Sequence, residues 1–132
     1  MPIVDISIGT DIVETERIAA MIKKFGDAFL SKIFTGDEIA YCKRTANPPM
    51  GFAARFAAKE AFAKALGTGI GKNLCWKDVA IGKKSSGEPY LVLSKSVEAA
   101  MGNFGFSEAK VSISHTKTLA QAVVVLIECG NV

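Results

Sequence analysis

Three observations predict an α+β fold with a largely antiparallel sheet packed with a long helix. A stretch with a two-residue apolar period stands near the N-terminus, an alanine-rich helical segment occupies the middle, and the last two strands are close enough in sequence to pair as a hairpin. The 132 residues are expected to form one domain over residues 1–132, long enough for a real core.

Taken in order, Ile6, Ile8, Thr10 and Ile12 alternate with Asp5, Ser7, Gly9 and Asp11, the pattern of a strand. Ile18, Met21, Ile22 and Phe25 then recur at i, i+3, i+4 and i+7, one face of a helix. Thr35-Gly-Asp-Glu38 has the form of a capping box, opening a short helix to about Arg44. Asn47-Pro-Pro interrupts the chain before the long helix, and Gly67 supplies its left-handed C-terminal cap. Val79–Gly82 and Tyr90–Leu93 read as strands around the turn Lys84-Ser-Ser-Gly-Glu-Pro89. Ser94 caps a helix to about Met101. Ala109–Ser114 and Leu119–Glu128 make the terminal hairpin. Within it Val123, Val124, Val125 and Leu126 run unbroken, as in a strand covered on both faces.

Composition narrows the class. With 49% apolar residues the chain is globular rather than disordered. No apolar run approaches the roughly 20 residues that span a bilayer, so no membrane partner is expected. Met-Pro-Ile-Val-Asp places no basic segment ahead of an apolar stretch, which argues against a secretory signal. Cys42, Cys75 and Cys129 are odd in number and widely spaced, which fits reduced thiols and a cytoplasmic location. A net charge of +3 suits an anionic ligand or an acidic partner without requiring nucleic acid.

The long helix mixes what surface helices separate. Laid out at about 100° per residue, Ala54, Ala57, Ala58, Ala61 and Ala65 gather on one side. The other arc holds Phe52, Phe56 and Leu66 together with Arg55, Lys59, Glu60 and Lys64. Interleaved aromatics and charges suit one wall of a ligand pocket. The competing arrangement is a surface ion pair of Glu60 with Lys64 at i, i+4, worth about 0.3–0.5 kcal/mol.

Asp11 is a carboxylate inside a strand pattern, which propensity disfavours. It marks either a strand end or helix cap, or one half of a Mg²⁺ site with Glu60. Two carboxylates from different elements suit that ion, which keeps its waters and takes further ligands from substrate phosphates. His115, the only histidine, closes Val111-Ser-Ile-Ser-His115 at the hairpin tip. It is a structural hydrogen-bonder or a functional group; Ser112 and Ser114 make no triad with it, because no acid is placed to orient the imidazole. Gly67-Thr-Gly69-Ile-Gly71 lacks the Lys-Ser/Thr ending of a P-loop and reads as a cap and turn. Arg17, Ala20, Met21 and Lys24 form a stripe that is either simply solvated or a dock for an acidic, amphipathic helix.

Ile8-Gly-Thr-Asp-Ile-Val-Glu14 with Arg17, Arg55-Phe-Ala-Ala-Lys-Glu-Ala-Phe-Ala-Lys64 running on to Gly-Thr-Gly69, and Ser112-Ile-Ser-His115 stand in the order of the holo-[acyl-carrier-protein] synthase family. The sequence resembles that family from about Val4 to Glu128. The resemblance implies a 4′-phosphopantetheinyl transferase-like fold and transfer of 4′-phosphopantetheine from coenzyme A to a serine of apo acyl carrier protein. Adenosine 3′,5′-bisphosphate is released, in a step of fatty acid biosynthesis. It also implies Mg²⁺ and a homotrimer with active sites at the subunit interfaces. The catalytic positions that carry over are Asp11, Glu60 and Lys64: Asp11 and Glu60 as metal ligands, Lys64 beside the pyrophosphate. Arg55, Phe56, Lys64, Ser114 and His115 carry over as coenzyme contacts, and Arg17, Met21 and Lys24 as the carrier-docking surface. Glu60, or a metal-bound water that it orients, is the expected base. Two other readings remain at this point: a transferase serving a polyketide or peptide synthase carrier, and a non-enzymatic module that docks acidic helices through the Arg17 stripe.

Overall fold

A strand lies against the central helix with no side chain between them at Gly9. A Cβ at that position would collide with the carbonyl oxygen of Ala61 and the backbone nitrogen of Ala65. The computed structural model describes residues 2–71 and 74–130. Along the chain these form β1 (Ile3–Glu14), α1 (Thr15–Phe25), α2 (Asp27–Ile33), α3 (Gly36–Lys43) and α4 (Pro48–Leu66). A 3-10 turn (Trp76–Asp78), β2 (Val79–Lys83), β3 (Pro89–Leu93), α5 (Lys95–Asn103), β4 (Glu108–His115) and β5 (Leu119–Cys129) follow. The strands make two antiparallel sheets, one in the order β1-β5-β4 and a hairpin β2-β3.

The expected caps are present. Glu38 N–H donates to Thr35 Oγ1 at 3.2 Å, and Thr35 N–H donates to Glu38 Oε1 at 3.0 Å, closing the capping box of α3. Asn47 Oδ1 caps α4, and Gly67 ends it at φ +85°, a left-handed conformation that glycine adopts at no steric cost. Helix α2 is an addition to the sequence reading. Gly26, at φ +56°, stops α1, and the seven residues that follow are too few to display a helical period. They still bury Phe29, Leu30 and Ile33.

The two faces of the larger sheet differ. Ser7, Gly9, Asp11 and Val13 of β1 share the face that packs on α4, where Ser7 Oγ donates to the Ala65 carbonyl at 2.6 Å. Ala122, Val124 and Leu126 of β5 lie on the same face and are fully buried. On the opposite face Ile6, Ile8 and Ile12 remain 47%, 59% and 60% exposed, in register with Ile127, Val125 and Gln121. The expectation that β5 is covered on both faces therefore holds, within this chain, for one face only.

The hairpin β2-β3 is fastened to the helices by a buried ion pair. Lys59 Nζ donates to Glu38 Oε1 at 2.8 Å, to the Val79 carbonyl at 2.6 Å and to the Trp76 carbonyl at 3.1 Å, which uses all three of its protons. Glu38 Oε2 accepts from Ile81 N–H at 3.1 Å. The carbonyl of Val79 and the N–H of Ile81 point from the same edge of β2, so the pair satisfies that edge as a neighbouring strand would. Burial pulls the proton affinity of Lys59 down, and Glu38 opposes the shift.

This corrects the reading of the α4 arc as one wall. Lys59 is fully buried, Phe52 packs on Phe34 with centroids 4.9 Å apart, and Leu66 is buried too. The middle of the arc belongs to the core, and only its two margins reach cavities. Arg55 and Lys64 are nine residues apart, which places them about 180° apart around the helix.

Candidate active site

At one margin of α4 the structure assembles Asp11, Glu60, Lys64 and Arg17. Asp11 is carried there by the close approach of β1 at Gly9, two residues earlier on the same face. Lys64 Nζ donates to Asp11 Oδ1 at 3.0 Å and to the Thr10 carbonyl at 3.0 Å. Lys64 thus pairs across 53 residues of sequence. The i, i+4 pair with Glu60 is not among the described ion pairs.

Glu60 holds its proton above the ordinary carboxylate range. Burial is the main cause and the Asp11 carboxylate the second, while Lys64 and Arg17 pull in the other direction. Two carboxylates and two cations therefore sense one another here. Among the described residues no group of three or more His, Cys, Asp and Glu is placed to hold a metal. The Asp11–Glu60 pair can supply two oxygen ligands, leaving other positions to water and substrate, and Lys64 already supplies a positive charge to Asp11.

A cavity of about 720 Å³ opens beside Glu60, lined by Lys32, Ile70, Leu74 and Trp76 among others. Trp76 packs on Phe56 with ring centroids 4.9 Å apart. Phe56 therefore stands on the Glu60 side, as a support for the cavity wall.

The other margin leads elsewhere. Arg55 is 7% exposed, with its guanidinium carbon 4.5 Å from the centroid of the Tyr41 ring. A cavity of about 360 Å³ there is lined by Arg55, Tyr41, Met50, Lys83, Pro89 and His115 among others. His115 is exposed, and no described hydrogen bond or ion pair engages its imidazole. Ser114 precedes it on the strand and lies on the opposite, open face of the sheet, paired with Gln121. Within one chain the sequence-derived site residues thus fall into two groups, Asp11–Glu60–Lys64 and Arg55–His115, with Ser114 apart from both.

Arg17 and Lys24 are exposed on α1 and Met21 is half-buried, so the stripe is presented to solvent. Phe25 extends it, 49% exposed with Lys24 Nζ 5.2 Å from its ring centroid. No local pattern in the sequence marks Trp76, Tyr41 or Lys83. Each lies in a segment whose pattern only reports a turn, a short helix or a strand end.

The profile of the 4′-phosphopantetheinyl transferase superfamily matches residues 7–123 of this chain. The chain belongs to that superfamily. A protein of Chlamydia caviae named holo-[acyl-carrier-protein] synthase is 50% identical over 120 residues, covering 91% of this chain and 95% of that protein. The crystal structure of the Neisseria meningitidis holo-[acyl-carrier-protein] synthase matches with a TM-score of 0.84 and 38% identity, over 91% of this chain and 96% of that one. That of the Helicobacter pylori synthase, solved in complex with coenzyme A, matches with a TM-score of 0.80 and 39% identity, over 90% and 98% of the two chains. In this phosphopantetheinyl transferase the motif residues Asp11, Glu60 and Lys64 are the ones the fold brings together, although 49 residues separate the first two in sequence.

Proposed function

We propose that this chain transfers 4′-phosphopantetheine from coenzyme A to a serine of apo acyl carrier protein, releasing adenosine 3′,5′-bisphosphate, as a step of fatty acid biosynthesis in the cytoplasm. The observation that carries this reading is the convergence of Asp11, Glu60 and Lys64 at the edge of a cavity.

The chemistry asks for three things: a base for the serine hydroxyl, neutralisation of the pyrophosphate, and an in-line approach. In this reading Glu60, or a metal-bound water that it orients, takes the serine proton. The serine oxygen forms its bond to the phosphorus bearing pantetheine as the bond from that phosphorus to the bridging oxygen breaks. The adenosine bisphosphate leaves with the electron pair. Lys64 meets the charge that builds on the leaving phosphate, exchanging part of its contact with Asp11 for a phosphate oxygen. Asp11 and Glu60 would hold Mg²⁺, which when bound supplies further positive charge to the pyrophosphate.

Arg55 and His115 open on a different cavity from Glu60 within one chain. A ligand as long as coenzyme A can reach both groups where two copies meet. The exposed face of Ile6, Ile8 and Ile12, continued by half-buried Val123, Val125 and Ile127, is an apolar surface that a neighbouring copy can cover. This reading makes the protein a homotrimer in which Arg55 and His115 of one subunit face Asp11, Glu60 and Lys64 of the next. The acidic carrier docks on Arg17, Met21 and Lys24. Incubation with coenzyme A, Mg²⁺ and an apo carrier tests the activity: the carrier should gain the mass of one phosphopantetheine at its serine. An unmodified carrier contradicts the reading.

A further inference from the structure

Lys59 and Glu60 are consecutive on α4, yet Glu60 lines a cavity and Lys59 is sealed in the core. The Lys59 ammonium is nevertheless tied to the wall of that cavity, through its 3.1 Å bond to the Trp76 carbonyl. Among the described hydrogen bonds it is the only one that joins the Trp76–Asp78 turn to α4. The other bonds of the turn run to Cys75, Val79 and Ser94. Trp76 lays its ring on Phe56, with 30° between the planes, and lines the cavity together with Glu60.

Glu38 keeps the ammonium in place. A buried cation met by carbonyls alone is costly, and Glu38 Oε1 at 2.8 Å supplies the opposite charge. An apolar pair of similar volume would join α3, α4 and β2 as firmly. It would lack direction. An ammonium with three acceptors fixes the distance and angle of each, whereas methyl and methylene groups let the turn slide along the helix.

We infer that Lys59, held by Glu38, is a positioning residue for the transfer reaction: through the Trp76 carbonyl it sets where the Trp76–Phe56 wall stands relative to the Glu60 carboxylate. The inference rests on the proposed function for the identity of the reaction. Lys59 is fully buried and meets no substrate, so it acts only through the turn it holds. Because it precedes Glu60 on one rigid helix, the wall and the carboxylate share a single frame. A displacement of about 1 Å in such a frame can cost on the order of a hundredfold in rate.

The test is the double variant Glu38→Leu/Lys59→Met on the whole assembled protein, in which neither charge is left alone in the core. Trp76 is the only tryptophan, so its emission reports the wall directly. The double variant should keep its circular dichroism, while Trp76 emission moves to the red and acrylamide quenches it more strongly. Its kcat/KM for coenzyme A should fall roughly tenfold or more, with little change in the KM for the carrier. Wild-type emission, wild-type turnover, or an equal loss toward both substrates overturns the role. Trp76→Leu leaves the ion pair intact and tests the wall alone: it should give the same kinetic split, and unchanged kinetics overturn the inference whether or not the double variant folds. A wild type that transfers nothing defeats the proposed function instead, and the Trp76 emission of the double variant then judges the positioning by itself.

Discussion

Lys64 Nζ lies 3.0 Å from Asp11 Oδ1, across a helix–strand contact, rather than beside the glutamate one turn earlier on its own helix. The same ammonium also binds the Thr10 carbonyl, so β1 holds it at two points. This placement supports the proposed role of Lys64 as a charge beside the pyrophosphate rather than in an i, i+4 surface pair.

Lys64→Ala should therefore separate activity from stability. Because Lys64 is 53% exposed, its pair with Asp11 is screened, and its loss should cost less than about 1 kcal/mol in urea denaturation. Transfer should fall by about two to three orders of magnitude, as when one preorganised positive donor is removed. Full activity in this variant would contradict the role.

The second prediction concerns pH. Burial and Asp11 raise the proton affinity of Glu60, so the folded state binds this proton more tightly than the unfolded chain. The stabilisation this provides is complete below the ordinary glutamate value of about 4.3 and is lost as pH rises through the higher folded value. Glu60→Gln, which cannot ionise, should therefore make the metal-free protein more stable than wild type at neutral pH, and the gain should vanish at pH 4. A metal ligand competes with the same proton, so raising Mg²⁺ should move the acid limb of the kcat/KM profile to lower pH. A limb that ignores Mg²⁺ would contradict the metal assignment.

A third follows from Lys59 and Glu38, both essentially fully buried. Lys59→Met leaves a buried carboxylate and should cost about 3–5 kcal/mol. Glu38→Leu should be similarly costly, and the double variant should lose much less than the two together. A urea double-mutant cycle measures the coupling; strict additivity would contradict the clamp.

The proposed carrier-docking surface gives a fourth. Lys24→Glu reverses a charge on the exposed stripe of α1. It should raise the KM for the acyl carrier protein several-fold, more at low salt than at high, with little change in the KM for coenzyme A. Steady-state titration of each substrate distinguishes this from an equal effect on both.

Local chemistry made most of the elements legible: the Thr35 box, the Asn47 and Ser94 caps, the Gly67 stop and the alternation of β1 all act through neighbours in sequence. The motifs likewise marked Asp11, Glu60 and Lys64. Directions were harder to read. A wheel of α4 places Lys59 between Arg55 and Glu60, and nothing local reveals that Glu38 and β2 lie over it. Nor does alternation say which face of β1 meets the helix. That is settled by Gly9, whose missing side chain lets the backbone of α4 approach and leaves the isoleucines outside. Tyr41 and Lys83 could not be paired with Arg55 from sequence, because their proximity depends on where the β2-β3 hairpin docks.

The most direct test of the proposed shared site uses two variants with complementary damage. Glu60→Gln removes a group from one half-site, and His115→Ala removes an exposed group from the other. Each homotrimer should transfer poorly on its own. Refolded together in equal amounts, they should regain activity at about one site in four, where an intact Glu60 meets an intact His115 across a head-to-tail interface. Mixed trimers verified by native mass spectrometry that show no more activity than the two variants measured separately would contradict a site built from two subunits.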